Sequence, residues 1–339
     1  MATLNTTALA SVLQRRAKGY TDEISRQIPL FNHLKKKGSY QGEDGGSSYE
    51  WSVEYLLDSD EASFDGWDVL PNQASDAVQV AQAAWKSYYK PIAINGTEFD
   101  LNKGGNGGRI FDLLEQKEKN AKASMRNQMN THFYLDGTLN GGKRLVGLAA
   151  ICAAAPTTGT LFNINRATAG NEFWRNSRVD TNAVAFDYSD GIWNQRNGMN
   201  TLWQQCGRQA DTSAQRYPDL ILCTEAYWRY YSEVAAHRGQ RFVNTNEADA
   251  GYKTLEFNNA SMLFDQDCPA DAGSGEQAFF INSDVLILKY IKSADFKLSD
   301  ALPLESQDAF IKRLIWRGAL ICINPQKCGV HEGITATQA

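Results

Sequence analysis

From Ser48 to Tyr55 the chain alternates without a break: Tyr49, Trp51, Val53 and Tyr55 on one face, Ser48, Glu50, Ser52 and Glu54 on the other. That period of two predicts a strand with an aromatic face. A second extended segment is predicted over 83–94, with Trp85, Tyr89, Ile92 and Ile94 among its members. Between the two runs SDEASFDGWDVLPNQASD (59–76), acidic and rich in turn formers. Irregular connections of that length are usually functional. A two-stranded ribbon is marginal alone in water, so its aromatics need a surface, on their own domain or on a partner. The period then changes. Over 109–136, Ile110, Leu114, Ala121, Met125, Met129 and Phe133 recur every three or four residues. That stripe predicts a helix on the order of 40 Å long, a spine rather than an ordinary core helix.

Punctuation organises the rest. Gly19 ends a first short helix, Asp22 caps a second, and Pro29 starts a third that stops at Gly38. A helix is predicted over 189–213, with Ile192, Met199, Trp203, Cys206 and Ala210 spaced for burial. DLILC (219–223) reads as a short buried strand, and Thr224 caps a helix ending at Gly239. Further strands are expected over 261–264, 278–281 and 285–291. Segment 309–323 is apolar on both faces, and periodicity alone does not choose between strand and helix.

Composition bounds the picture. The chain has 339 residues, 42% of them hydrophobic, enough for a sizeable core in two or three domains. No stretch is long and apolar enough to cross a bilayer. The first twenty residues read as an amphipathic helix without the features of a signal peptide, so folding in a cytosol is expected. The net charge is −5 and the longest basic run is Lys35 to Lys37, which argues against tight sequence-specific DNA binding. Six cysteines, at 152, 206, 223, 268, 322 and 328, include no CxxC pair and are expected to be buried free thiols.

Candidate chemistry is sparse. GTLNGGKR (137–144) matches the start of a phosphate-binding loop, GxxxxGK. Arg144 stands where a magnesium-binding hydroxyl belongs, and a helix precedes the loop where the motif needs a strand. A soluble nucleotide-dependent enzyme using this loop is the alternative from another class. GGNGGR (104–109) reads as a hinge. Histidines 33, 132, 237 and 331 form no metal-binding spacing. DQDCPAD (265–271) lacks the glycine and terminal glutamate of a calcium loop and reads as a turn. No cofactor, metal or catalytic residue is expected.

The order of features is what carries identity. IPLFNHLKKKG (28–38), the hairpin from Gly45 and WKSYYKPIAINGTEFDLNKG (85–104) are followed by the long helix and LDGTLNGGKRLVGLAAI (135–151). Then come NINRATAGNEFWRN (163–176), YPDLILCTEAYWRYY (217–231), EQAFFINSDVLILKY (276–290) and QDAFIKRLIWRGALICINPQKCGV (307–330). In this order the chain resembles the major capsid proteins of tailed phages, whose shared architecture is named after the Hong Kong 97 phage.

The resemblance implies an α+β Hong Kong 97-like phage capsid fold. Its parts would be an N-terminal arm (1–44), an E-loop ribbon (45–98), and a P domain (99–175 and 288–326) with its spine helix over 109–136. An A domain (176–287 and 327–339) would complete it. It implies a subunit that self-assembles in pentamers and hexamers into an icosahedral shell around double-stranded DNA, bound without sequence preference. The E-loop would lie over the adjacent subunit, placing inter-subunit contacts at Tyr49, Trp51, Tyr55, Phe64, Trp67, Trp85 and Tyr89. A portal protein, a separate scaffolding protein and a decoration or cement protein would be partners, with no membrane. Because only a short arm precedes the first family-like segment, no trimming of the subunit is expected. An encapsulin-type nanocompartment shell is the alternative within the same fold.

Overall fold

The structure, a computed structural model, describes residues 28–55, 63, 65–67, 77–97, 113–181, 191–207, 217–237, 255–271, 275–304 and 307–334. The two helices expected before Pro29 and the GGNGGR segment lie outside them. In chain order come α1 (Pro29–Lys37), β1 (Tyr40–Glu43), β2 (Ser48–Glu54), β3 (Val78–Ala84), β4 (Lys86–Asn95) and α2 (Leu113–Phe133). Two short strands, β5 (Thr160–Leu161) and β6 (Ile164–Asn165), precede β7 (Ser177–Asp180), α3 (Gly191–Gly207), β8 (Leu220–Cys223) and α4 (Glu225–His237). The last third is extended: β9 (Leu255–Phe257), β10 (Ala260–Phe264), β11 (Glu276–Ile281) and β12 (Leu286–Ile291). β13 (Lys297–Leu298), β14 (Leu302–Leu304), β15 (Gln307–Cys322) and β16 (Gly329–Ile334) finish it.

Local chemistry sets the helix ends. Pro29 supplies the fixed φ of a first helical turn, and Gly38, at φ 80°, donates its N–H back to the Leu34 and Lys35 carbonyls. Lys35, Lys36 and Lys37 oppose the negative end of the dipole. The spine α2 buries Ala121, Met125, Met129 and Phe133, the predicted stripe. Its described span is Leu113–Phe133, ending short of the expected residue 136. The chain then reverses at Gly137 (φ 84°), where a Cβ would stand 2.8 Å from the Leu145 carbonyl oxygen.

Two sheets carry the core. In the first, the order is β1-β12-β15-β13, with β14 and β4 also paired to β15. The segment whose periodicity was ambiguous is therefore a 16-residue strand. It is apolar on both faces near its end because that half is covered on both sides. Along one edge β15 meets β14, β13 and β12 in turn; along the other it pairs with β4 from Ala309↔Asn95 to Gly318↔Lys86. The second sheet runs β7-β16-β11-β8-β10-β9. All four β8 residues are buried, as its unbroken apolar run requires. Asn258 and Asn259, both at positive φ, close the tight β9–β10 turn.

The ribbon differs from its expected outline. The segment expected over 83–94 is broken at Trp85. β3 pairs with β2 in register Trp51↔Ala81 and Tyr49↔Ala83, so small residues face large ones. β4 leaves the ribbon and joins the first sheet, because Ile92 and Ile94 are buried there beneath α2. β1, inside the stretch expected as an arm, pairs in parallel with β12 and is part of that sheet as well.

Candidate functional site

The ribbon's inner face is anchored on a small knot of its own chain. β5 and β6 form a hairpin whose turn residues Phe162 and Asn163 have φ of 49° and 70°. The Gln82 backbone N–H donates to the Phe162 carbonyl oxygen at 3.0 Å. The Trp51 ring packs edge-on against Phe162, centroids 5.3 Å apart, and lies 6.4 Å from Trp174. Arg166 ties the knot together. Buried, it donates from Nε to the Trp174 carbonyl and from its two terminal nitrogens to the Ala150 and Ile151 carbonyls, at 3.1, 2.9 and 2.8 Å. The Trp174 indole N–H donates to Leu161 O at 3.0 Å.

The first sheet has two unlike faces. One faces α2 and carries Tyr88, Ile92, Leu314 and Trp316; Lys312 pairs there with Glu118 of α2 at 2.9 Å. Directly paired residues of antiparallel strands point the same way. Tyr89, Ile315 and Lys297 therefore share the opposite face, as do Pro91 with Arg313, Ser87 with Arg317, and Ile311 with Leu302. Half of this face is covered by the ribbon base, where the Lys289 Nζ lies 4.8 Å above the Tyr49 ring and 2.6 Å from Glu43. The other half is open: Tyr89 is 72% exposed and Leu302 50%.

Three groupings that suggest chemistry resolve into structural contacts. The 137–144 loop follows a helix, and Asn140 and Gly141 take left-handed conformations. Lys86 Nζ donates to the Gly142 carbonyl at 2.5 Å, a geometry unlike a phosphate cradle. Ser283, His33 and Asp219 are buried together, but both the Ser283 hydroxyl (2.8 Å) and the Asp219 carboxylate (3.6 Å) face the same His33 nitrogen, Nε2. A nucleophile–base–carboxylate relay needs opposite ring nitrogens. Burial alone would raise the Asp219 carboxyl, yet hydrogen bonds from His33, the Ser283 N–H and Lys37 hold it well below the usual range. The six thiols are free and buried. Burial pushes those of Cys206, Cys223 and Cys268 up, away from the reactive thiolate. Among the described residues no group of histidines, cysteines and carboxylates is arranged to hold a metal ion.

No protein-family model and no curated protein sequence matches the chain. Solved structures do. The capsid asymmetric unit of cyanophage A-1(L) is similar at TM-score 0.64 and 14% identity, over 95% of this chain and 97% of that one. The holo-SrpI encapsulin complex of Synechococcus elongatus PCC 7942 is similar at 0.62 and 10%, over 100% and 98%. A chain of Mycobacterium phage Bobi is similar at 0.57 and 12%, over 100% of both. The chain has the Hong Kong 97-like fold.

Within this Hong Kong 97-like fold, six of the seven expected contact residues are described, and they separate into two sets. Tyr49, Trp51 and Trp85 pack against the chain's own core, and Tyr55 stacks on Phe173 with centroids 4.6 Å apart. Trp67 is 100% exposed and Tyr89 is open on the sheet face. Phe64 lies outside the described residues. Sequence reasoning missed the Arg166 knot and the cations Lys297, Arg313 and Arg317. A signal for the last two was present: Ile311, Arg313, Ile315 and Arg317 alternate apolar and basic along one strand face.

Proposed function

We propose that this chain is the shell-forming subunit of a tailed, double-stranded DNA phage head. The observation that carries the reading is likeness to phage capsid chains across nearly the whole length of both partners, at TM-scores above 0.5. The ribbon, whose base is fixed on the subunit and whose strands flank an acidic sequence with Phe64 and Trp67, supports contact with a neighbouring copy. In this reading 1–44 is the arm, 45–98 the E-loop, 99–175 with 288–326 the P domain, and 176–287 with 327–339 the A domain. Copies of the chain form pentamers and hexamers. A separate scaffolding protein, a portal protein and a decoration protein complete the particle. Packaged DNA is held without sequence preference, in keeping with a net charge of −5.

An encapsulin-type compartment is the second reading, favoured by the comparable likeness to the Synechococcus shell chain. Negative-stain imaging of purified protein, alone and with its scaffold, tests both. Closed icosahedral particles are expected, and their content separates the two: nucleic acid for a phage head, protein cargo for a compartment. A monomer under every condition refutes shell formation.

A further inference from the structure

Three cysteines meet where the two sheets join. Cys322 is the last residue of β15, Cys328 stands just before β16, and Cys152 comes from the segment between α2 and β5. The Cys328 sulfur accepts hydrogen bonds from both the Cys152 and the Cys322 thiols. All three are buried in one apolar cluster. A cation is built in beside them. Arg166 donates to the Ile151 carbonyl at 2.8 Å, one residue from Cys152, and among the described residues no carboxylate pairs with it. The acidic groups its charge acts with are the Cys152 and Cys322 thiols.

A buried guanidinium without a carboxylate favours negative charge on its neighbours, and Cys328 is where the donors converge. The Cys152 and Cys322 thiols, with the Asn282 backbone N–H, hold Cys328 well below the usual thiol range against its burial. Giving that bond and being buried raise the Cys152 thiol. The thiolate is the form that reacts with oxidants. The cluster also lies shallow: Ile323, next to Cys322, is 41% exposed, and Ala154, two residues past Cys152, is exposed. Local opening of these connections admits a small neutral molecule before it admits a bulky one.

We propose that Cys328 is a site of oxidation by small hydroperoxides and closes a disulfide with Cys152, fastening the β15–β16 connection to the segment behind the spine. Cys152 is the partner because its hydrogen bond with Cys328 is the strongest influence on both thiols. In the first step the Cys328 thiolate attacks one peroxide oxygen. The O–O bond breaks, Cys328 becomes a sulfenic acid, and the departing hydroxide takes the Cys152 proton to form water. In the second step the Cys152 thiolate attacks the Cys328 sulfur and the S–O bond breaks. The released hydroxide recovers from solvent the proton that Cys328 had lost. Two thiols and one hydrogen peroxide thus give one disulfide and two waters; sulfur is oxidised and peroxide oxygen reduced. The site belongs to the subunit and stands apart from the shell reading. In a shell built in a reducing cytosol, the bond would close after release.

The test uses the full chain, freshly reduced, freed of reductant and treated with hydrogen peroxide in native buffer. Thiol titration in denaturant should fall from six free thiols to four. Non-reducing peptide mass mapping should join Cys152 to Cys328, and a thiol reductant should reverse both changes. Closing so long a loop should raise the melting temperature by about 5 °C or more. Cys152→Ala and Cys328→Ala should each lose the linked peptide and the thermal gain, whereas Cys206→Ala should keep both. Six free thiols after peroxide treatment that oxidises glutathione overturn the proposal, and this result needs no variant to fold. A Cys322–Cys328 or Cys206–Cys328 bond, or bonds only between chains, overturns it as well. So does a Cys152–Cys328 bond that forms only after unfolding, since the folded cluster would then play no part.

Discussion

His331 is wholly buried, with Nδ1 2.6 Å from the Tyr227 hydroxyl. On its other side a Cβ at Gly198 of α3 would stand 2.2 Å from Nε2, so backbone closes the site where a charged ring would need water. Burial pushes its pKa down to about 3, against a small opposing pull from Asp180. The sign of the pH effect follows. Below about 6.5 the unfolded chain takes up a proton that the folded chain refuses until near pH 3, so stability falls as pH falls, by about 1.4 kcal/mol per unit. His132 is held down to about 4 by burial and by Arg144, and it acts in the same direction. Urea midpoints should therefore drop steadily from about pH 6 to pH 4, and His331→Gln should flatten that slope. Equal slopes in the two proteins would show that this ring is not what titrates.

The ribbon is where reading a sequence by period meets its limit. Alternation located β2 and identified its aromatic face, but alternation says nothing about which surface the face meets. That is decided by Phe162, Phe173 and Trp174, more than a hundred residues away in the chain, held in place by the Arg166 guanidinium. The same limit hid the break at Trp85, because the extended pattern continues across it while the pairing partner changes from β2 to β15. Two tryptophans on one ribbon therefore carry different loads. Trp51→Ala should destabilise the subunit by about 3 kcal/mol through lost packing, read as a lower urea midpoint. Trp67→Ala should leave that midpoint unchanged and reduce assembly, since its side chain touches nothing that folding buries. If both substitutions destabilise the subunit alike, the exposed tryptophan is not an assembly contact.

Across the whole molecule, short local signals were legible: the Pro29 start, the Gly38 stop, the spine stripe and the buried strands at 220–223 and 276–281. Long-range pairings were not, because β1 with β12 and β7 with β16 join residues far apart in the chain whose patterns carry no address. One polar cluster couples these distant parts. Asp219 accepts from the Ser283 N–H and hydroxyl at 2.8 and 2.9 Å and pairs with Lys37 at 2.9 Å, joining α1 to the point where the two sheets meet. Asp219→Ala should cost about 3 kcal/mol by stranding its donors, with a smaller loss for the half-exposed Lys37→Ala, both read by chemical denaturation. Matching losses for the two would mean the carboxylate matters only through that lysine.

β15 has a mechanical consequence. Its 16 residues span roughly 50 Å of continuous backbone, bonded laterally along both edges, and it leads within seven residues into β16 of the second sheet. A pull along that direction loads its many cross-strand hydrogen bonds in parallel, in shear, whereas a pull at right angles opens them one after another. In a closed shell strained from within, tension carried along this strand would meet the stiffest axis of the subunit, and a bend across it the most compliant.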